Sequence, residues 1–166
     1  MAVNYDKLPY RIGAQGIVFD DNDNVLLVQL NAYNGTDWNF PGGGRETGET
    51  GEQNVLRELA EELGVDQTNF RVLGKSEQIL KYDFSEEFRA KQLPRALQYR
   101  GQIKDQFFVK FIGDKTKINI DKNEVRKYQW AATKDLPKYL HFRVTGQLEE
   151  ANQAIAEYLS KFKQTN

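Results

Sequence analysis

The chain has no cysteine and a single histidine, His141. Without cysteine there are no disulfides, no thiolate catalysis, no zinc–thiolate sites and no iron–sulfur clusters. With one histidine, a serine–histidine–acid triad has one residue to be built around, and a multi-histidine metal site is impossible. No apolar run approaches membrane-spanning length, and residues 1–13 lack a basic-then-apolar signal pattern, so a cytoplasmic protein is expected. Net charge is only −1, so no global field draws in nucleic acid and any attraction for anions must be local. The metal chemistry left open is oxygen ligation, a hard divalent cation held by carboxylates.

At 166 residues the chain is long enough to bury a sizeable core, and one domain over residues 1–166 is expected. Residues 11–19 and 25–30 read as strands of a hairpin around the turn cluster at 20–24. Residues 38–40 are a short extended piece. Residues 70–84 read as extended with a break near Gly74-Lys75, and a helical turn or two is expected over 85–92. Further strands fall at 106–112 and 127–132, with a turn or short helix around Pro137. Leu148, Ala151, Ile155, Tyr158, Leu159 and Phe162 give residues 146–162 the spacing of an amphipathic helix. The pattern predicts an α/β fold, a mixed sheet packed between helices.

The densest chemistry lies in residues 41–65, PGGGRETGETGEQNVLRELAEELGV. The first half reads as a glycine-rich turn that lets a ligand approach the backbone. The second half reads as a helix, with Thr50 as N-cap, Gln53 completing a capping box and Gly64 as the stop. At ~100° per residue, Val55, Leu56, Leu59 and Leu63 share one face, and Glu58, Glu61 and Glu62 share a separate arc. Carboxylates this close repel one another, which a divalent cation would relieve and Arg57 would relieve in part. Taken alone, the glutamates read as readily as a solvated acidic face.

The spacing separates these readings. Gly43, Glu49, Arg57, Glu58, Leu59, Glu61, Glu62, Gly64 and Val65 match G-x5-E-x7-R-E-U-x-E-E-x-G-U, where U is a bulky aliphatic, at every position. Average residue usage would produce this match in well below about one random chain in a million. The segment resembles the Nudix box, and the chain resembles the Nudix hydrolases, which cleave a nucleoside diphosphate linked to another moiety with divalent cations. The resemblance implies an α/β/α sandwich and Mg²⁺ or Mn²⁺ as cofactor. It implies Glu58, Glu61, Glu62 and the Gly42 carbonyl as metal ligands. It also implies that Glu49 pairs with Arg57 and holds the loop against the helix.

A second likeness lies outside the box. Tyr82-Asp83-Phe84, Tyr99-Arg100-Gly101-Gln102 with Phe107-Phe108, and the stretch from Glu124 to Trp130 resemble the branch of RNA pyrophosphohydrolases and asymmetric dinucleoside-tetraphosphate hydrolases. This likeness implies a nucleotide or dinucleoside polyphosphate as substrate, with an RNA 5′ end as the related case. It makes Glu124 an extra metal ligand or the general base, with Glu58 as the rival base. Phe142 and Arg143 stand where that branch contacts base and phosphate, and Tyr82 and Trp38 are further stacking candidates. That branch carries Pro-Gln-Gly-Gly where this chain has Pro41-Gly42-Gly43-Gly44. Nucleoside triphosphates, ADP-ribose and nucleotide-sugars therefore stand as alternatives, as does a nucleotide sensor without turnover.

The stretch 89–104 holds five basic residues, Arg89, Lys91, Arg95, Arg100 and Lys104, and no acidic one. It reads as a solvated loop or as a basic arm over the acidic site that contacts phosphates. Arg100 and Lys104 flank the branch-like motif and are the expected contacts.

Overall fold

The computed structural model describes residues 2–33, 35–140 and 147–163. Its sheet is built on two central strands, β1 (Tyr10–Phe19) and β6 (Gly101–Phe111), which run parallel along the whole of β1. Around them the order is β4 (Phe70–Lys75), β6, β1, β2 (Val25–Leu30) and β7 (Val125–Ala131). Two short strands lie off this path: β3 (Gly42–Gly44) pairs with β1, and β5 (Leu80–Asp83) pairs with β6. The sheet is mixed, as expected. β1 and β2 form the predicted hairpin, and Asp20 fixes its turn by accepting hydrogen bonds from the backbone N–H of Asn22 and Asn24 and from Lys115 Nζ at 2.6 Å.

Both faces of the sheet are covered because the apolar residues of β1 and β2 alternate. Ala14, Val18 and Leu26 pack under Val55, Leu59 and Leu63 of helix α1 (Gly51–Leu63). Ile17, Phe19, Val25 and Leu27 pack under helix α5 (Gln147–Phe162) through Ala151, Ala154, Ile155 and Tyr158. The Tyr158 ring stacks on Phe19 with centroids 3.6 Å apart. This is the α/β/α sandwich. Short helices α2 (Glu86–Ala90) and α3 (Pro94–Gln98) and the small helix α4 (Leu136–Tyr139) fill the connections. Tyr33, Phe84, Phe88 and Ala96 form a separate small core that fixes α2 and α3 against the loop after β2.

Two expectations are corrected and one is sharpened. Gly42–Gly44 is not a turn but a strand, with Gly13 opposite Gly44 and Gln15 opposite Gly42; the turn follows at 45–50. The extended region 70–84 is two strands along the same neighbour, with a bulge between Val72 and Gly74 and a separation at 76–79, directly after the expected break near Gly74-Lys75. β6 begins five residues before the expected 106, so the end of the supposed basic loop, with Lys104, is a central strand.

Candidate active site

Helix α1 starts and stops where its caps dictate. The Thr50 hydroxyl accepts from Gln53 N–H at 3.1 Å, and the Gln53 side chain accepts from Thr50 N–H at 2.9 Å. Gly64 ends the helix with φ of 62°, a left-handed conformation that side chains resist. The last carbonyls of the helix are then claimed by the approach to β7. Asn119 N–H donates to Leu63 O at 2.9 Å and Asp121 N–H donates to Glu62 O at 3.1 Å. These two bonds carry the loop back to the helix, and Glu124 arrives with it.

The result is a cluster of three carboxylates, Glu58, Glu62 and Glu124, with ligand oxygens within 4.8 Å of one another. Glu62 is 2% exposed and Glu58 is 9% exposed, while Glu124 reaches in from the surface. Burial pushes the Glu62 carboxyl well above the usual range, and the nearby Glu58 charge pushes it the same way. Burial also raises Glu58, although Arg57 pulls it back down. Buried carboxylates that repel each other and have too little positive charge nearby fit a hard divalent cation, which takes oxygen ligands. Glu58, Glu62 and Glu124 are the residues that would hold it. Gly42 lies at the same place, with its N–H donating to Glu62 Oε2 at 3.2 Å.

Glu61, expected as a third helical ligand, does not join this cluster. It lies one residue round the helix, is exposed, and accepts from Arg57 Nη1 at 3.2 Å. Glu124 stands in the cluster with Glu58 and Glu62. The expected Glu49–Arg57 pair is present and close: Arg57 Nε donates to Glu49 Oε1 at 2.6 Å and Nη2 donates to Oε2 at 3.1 Å. The pairing lowers the Glu49 pKa and raises that of Arg57. Arg57 also donates to Glu58 at 3.0 Å and to the Gly44 carbonyl at 2.8 Å. One guanidinium thus ties loop, strand β3 and helix α1 together. Between them, Gly43 must be glycine, because a Cβ there would fall on the Glu58 carboxylate.

The carboxylates form one side of a cavity of about 610 Å³, a volume suited to a nucleotide-sized ligand. Three cations, Arg11, Arg95 and Lys104, line it as well. Among the described residues none of these three side chains has a hydrogen-bonded or ion-paired partner. Burial lowers the pKa of Lys104 against the opposing pull of Tyr33 and Glu62. Burial also lowers that of Arg11, and the neighbouring Arg95 charge adds to this. Cations gathered in a partly desolvated cavity, none in hydrogen-bond or salt-bridge contact with a carboxylate, make a receptor for a polyanion.

Of the substrate contacts expected from sequence, Lys104 and Tyr82 line the cavity. Arg100 does not. Its Nε donates to Asp83 Oδ2 at 2.9 Å, and its guanidinium stands over the Tyr10 ring. Trp38 packs edge-on against Tyr139 and is not part of the cavity wall. His141, Phe142 and Arg143 lie outside the described residues. Arg11 was missed from sequence. Its signal is a polar stripe along one face of two central strands: Arg11 and Gln15 on β1, with Gly13 between them, and Gln102, Lys104 and Gln106 on β6. Buried strands are normally apolar, so such a stripe marks a cavity wall. Truncation should separate the two basic residues expected from sequence. Lys104→Ala should raise KM for a nucleotide polyphosphate about tenfold, and Arg100→Ala should change it less than about twofold, both read by steady-state kinetics.

Comparison with known proteins agrees with this geometry. A family model described as the NUDIX domain matches residues 9–152. An RNA pyrophosphohydrolase of Zymomonas mobilis is 36% identical over 135 residues, which cover 80% of this chain and 85% of that protein. One of Sphingopyxis alaskensis is 28% identical over 140 residues, covering 83% and 87%. Among solved structures, an Ap4A hydrolase of C. elegans in a binary complex superposes with a TM-score of 0.63 at 16% identity, over 90% of this chain and 99% of that one. The dihydroneopterin triphosphate pyrophosphohydrolase of E. coli superposes with a TM-score of 0.67 at 17% identity, over 89% and 99%. At these identities the structural likenesses show the fold.

Proposed function

The chain belongs to the Nudix family, and from that premise we propose that it is a Mg²⁺- or Mn²⁺-dependent pyrophosphohydrolase acting on the 5′-triphosphate end of RNA or on a dinucleoside polyphosphate. The observation that carries the reading is the pairing in one cavity of three carboxylates with three cations free of protein partners. A polyphosphate is long enough and charged enough to join the two sides. The names of the sequence relatives, RNA pyrophosphohydrolases, support the same substrate class.

When bound, a divalent cation supplies charge neutralisation, polarised phosphorus–oxygen bonds and a more acidic water. The residues of the chain do the rest. Glu62 and Glu124, with Glu58 beside them, would hold the ion. Glu58 is the better placed of the two candidate bases, because burial raises its proton affinity while the Arg57 hydrogen bond fixes its carboxylate. Arg11 and Lys104 bind phosphate oxygens and hold the chain in line for attack by water, which is most of what phosphoryl transfer requires. Tyr82 lines the wall where a nucleobase can lie against an aromatic face. A cytoplasmic location belongs to the same proposal, since RNA 5′ ends and free nucleotides are found there.

A substrate panel with Mg²⁺ tests this. The kcat/KM for 5′-triphosphorylated RNA or diadenosine tetraphosphate should exceed that for dATP and ADP-ribose by at least about tenfold. Faster cleavage of dATP or ADP-ribose would overturn the substrate class and leave the hydrolase in place. Binding of these compounds without cleavage of any would favour a sensor.

A further inference from the structure

Gln15 of β1 and Gln106 of β6 lie side by side at the centre of the sheet, 5% and 2% exposed. Two residues further along each strand, the same face carries Ile17 and Phe108, which belong to the apolar core. An amide pair at such a position costs stability unless its hydrogen bonds are met.

The bonds run in one direction. Gln106 Nε2 donates to the Gln78 carbonyl at 3.1 Å, and Gln15 Nε2 donates to Gln106 Oε1 at 2.8 Å. A backbone carbonyl only accepts, so it fixes the Gln106 amide, and Gln106 in turn fixes that of Gln15. Gln78 is itself held. Its N–H donates to Ser76 Oγ at 3.0 Å, and Ser76 Oγ donates to Glu157 Oε2 on α5 at 2.6 Å. Ser76 N–H donates to the Gln106 carbonyl at 2.8 Å. The relay therefore runs from α5 to the cavity and ends on Gln15 Oε1. Among the described residues nothing donates to that oxygen, and it is not enclosed by protein. Gln15 lines the cavity, so its oxygen faces the space a ligand fills.

Strand register says what stands beside it. Gln15 pairs with Gly42 of β3, and the two approach so closely that a Cβ on Gly42 would lie 2.9 Å from Gln15 Cβ. Gly42 N–H donates to Glu62 Oε2 at 3.2 Å. One backbone residue thus separates Gln15 from the carboxylate cluster. Lys104 pairs instead with Gly13, and Arg11 lies further back on β1, roughly 7 and 13 Å of strand away from Gln15. A carbonyl oxygen repels phosphate oxygens and accepts only from a donor. The donors that belong beside Glu62 are waters of a hard cation, which keeps several of them when carboxylates hold it.

We propose that Gln15 Oε1 accepts from the water shell of the divalent cation held by Glu58, Glu62 and Glu124, and so tightens metal binding. This rests on the carboxylates being the cation site of the pyrophosphohydrolase reading, and it adds a neutral oxygen from the sheet to a site otherwise built from α1 and the approach to β7. The relay aims the amide before the ion arrives, as outer partners of metal sites do.

The test is titration of the purified protein with Mn²⁺ without substrate, the free ion being read from its EPR signal. Gln15→Met keeps the length of the side chain and removes the oxygen, and it should weaken Mn²⁺ binding about tenfold. It also leaves Gln106 Oε1 buried without a donor. The double variant Gln15→Met/Gln106→Met removes both partners, which is milder for the fold, and the same loss of about tenfold is expected. Gln15→Glu restores an oxygen and adds charge, so it should bind Mn²⁺ at least as tightly as wild type. A Mn²⁺ affinity within about twofold of wild type in either methionine variant overturns the proposal. So does a loss in Gln15→Glu as large as that in Gln15→Met, which would assign the effect to packing. Intact Mn²⁺ binding with weaker binding of adenosine in EDTA would also overturn it, and would give the oxygen to a nucleoside hydroxyl or base. Glu62→Gln separates Gln15 from the site itself. If that variant loses Mn²⁺ and Gln15→Met does not, the cation site stands and the role of Gln15 falls. If wild type binds no Mn²⁺, both fall.

Discussion

Glu62→Gln should leave a folded protein with kcat lowered about 10³-fold and with no gain in melting temperature on addition of Mg²⁺ or Mn²⁺. Glu62 is the most buried member of the carboxylate cluster, and both its neighbours there, Glu58 and Glu124, raise its pKa along with burial itself. The amide is nearly isosteric, and its oxygen can still accept the Gly42 N–H bond now made to Oε2 at 3.2 Å. Packing is therefore kept while a ligand charge is lost. Without metal, the same substitution removes a like-charge repulsion from a buried site, so the metal-free variant should melt higher than metal-free wild type. A gain of about 1 kcal/mol corresponds to roughly 2–4 °C for a domain of this size. The two readouts must move in opposite directions. A variant that keeps most of its turnover, or that melts lower without metal, would remove Glu62 from the metal site. Glu61→Gln is the internal comparison. Its carboxylate is exposed and turned to Arg57, so a smaller loss of about tenfold or less is expected.

Much of this site can be read from the chain, and the rest is hidden for identifiable reasons. The helix of residues 51–63 is legible because its caps, its leucine stripe and its stop are all local features, and the Nudix spacing adds Glu49 and Arg57. Glu124 was assigned by resemblance alone, because nothing local marks it. It reaches Glu62 through backbone bonds from Asn119 and Asp121 to the end of the helix, a contact between segments about sixty residues apart. Gly42–Gly44 reads as a turn because glycine is turn-prone, but here its lack of a side chain lets a strand pass under Glu58 and Arg11. The cations of the cavity are legible only in part, for a related reason. Arg100 and Lys104 are equivalent in the linear sequence, but register decides between them. Lys104 lies opposite Leu80 and faces the cavity, whereas Arg100 precedes the strand and is claimed by Asp83. Arg11 was passed over because a single arginine at a strand start carries no signal until the polar residues of β6 are known to lie beside it.

Arg57→Ala should lower kcat about 10²-fold and destabilise the protein by about 2 kcal/mol, although Arg57 is not placed to touch the substrate. Its guanidinium makes two bonds to Glu49, one to Glu58, one to Glu61 and one to the Gly44 carbonyl. Removing it strands Glu49, whose side chain is 11% exposed, and frees Glu58 to turn away from the cavity. The stability loss comes mainly from the Glu49 pair, which is close and bidentate but near enough to solvent that the cost falls below that of a fully buried pair. The activity loss comes from Glu58, because a displaced carboxylate loses its alignment with the phosphorus under attack. Arg57→Lys separates the two effects. An ammonium can pair with Glu49, but it cannot also span Glu58 and the Gly44 carbonyl as the planar fork does. Stability should therefore recover by more than half while kcat stays depressed, with KM little changed in both variants because Arg11 and Lys104, the proposed phosphate contacts, are untouched. If lysine restored turnover as fully as stability, Arg57 would serve only as a charge that balances the cluster, and the orientation of Glu58 would have to come from its burial against Gly43.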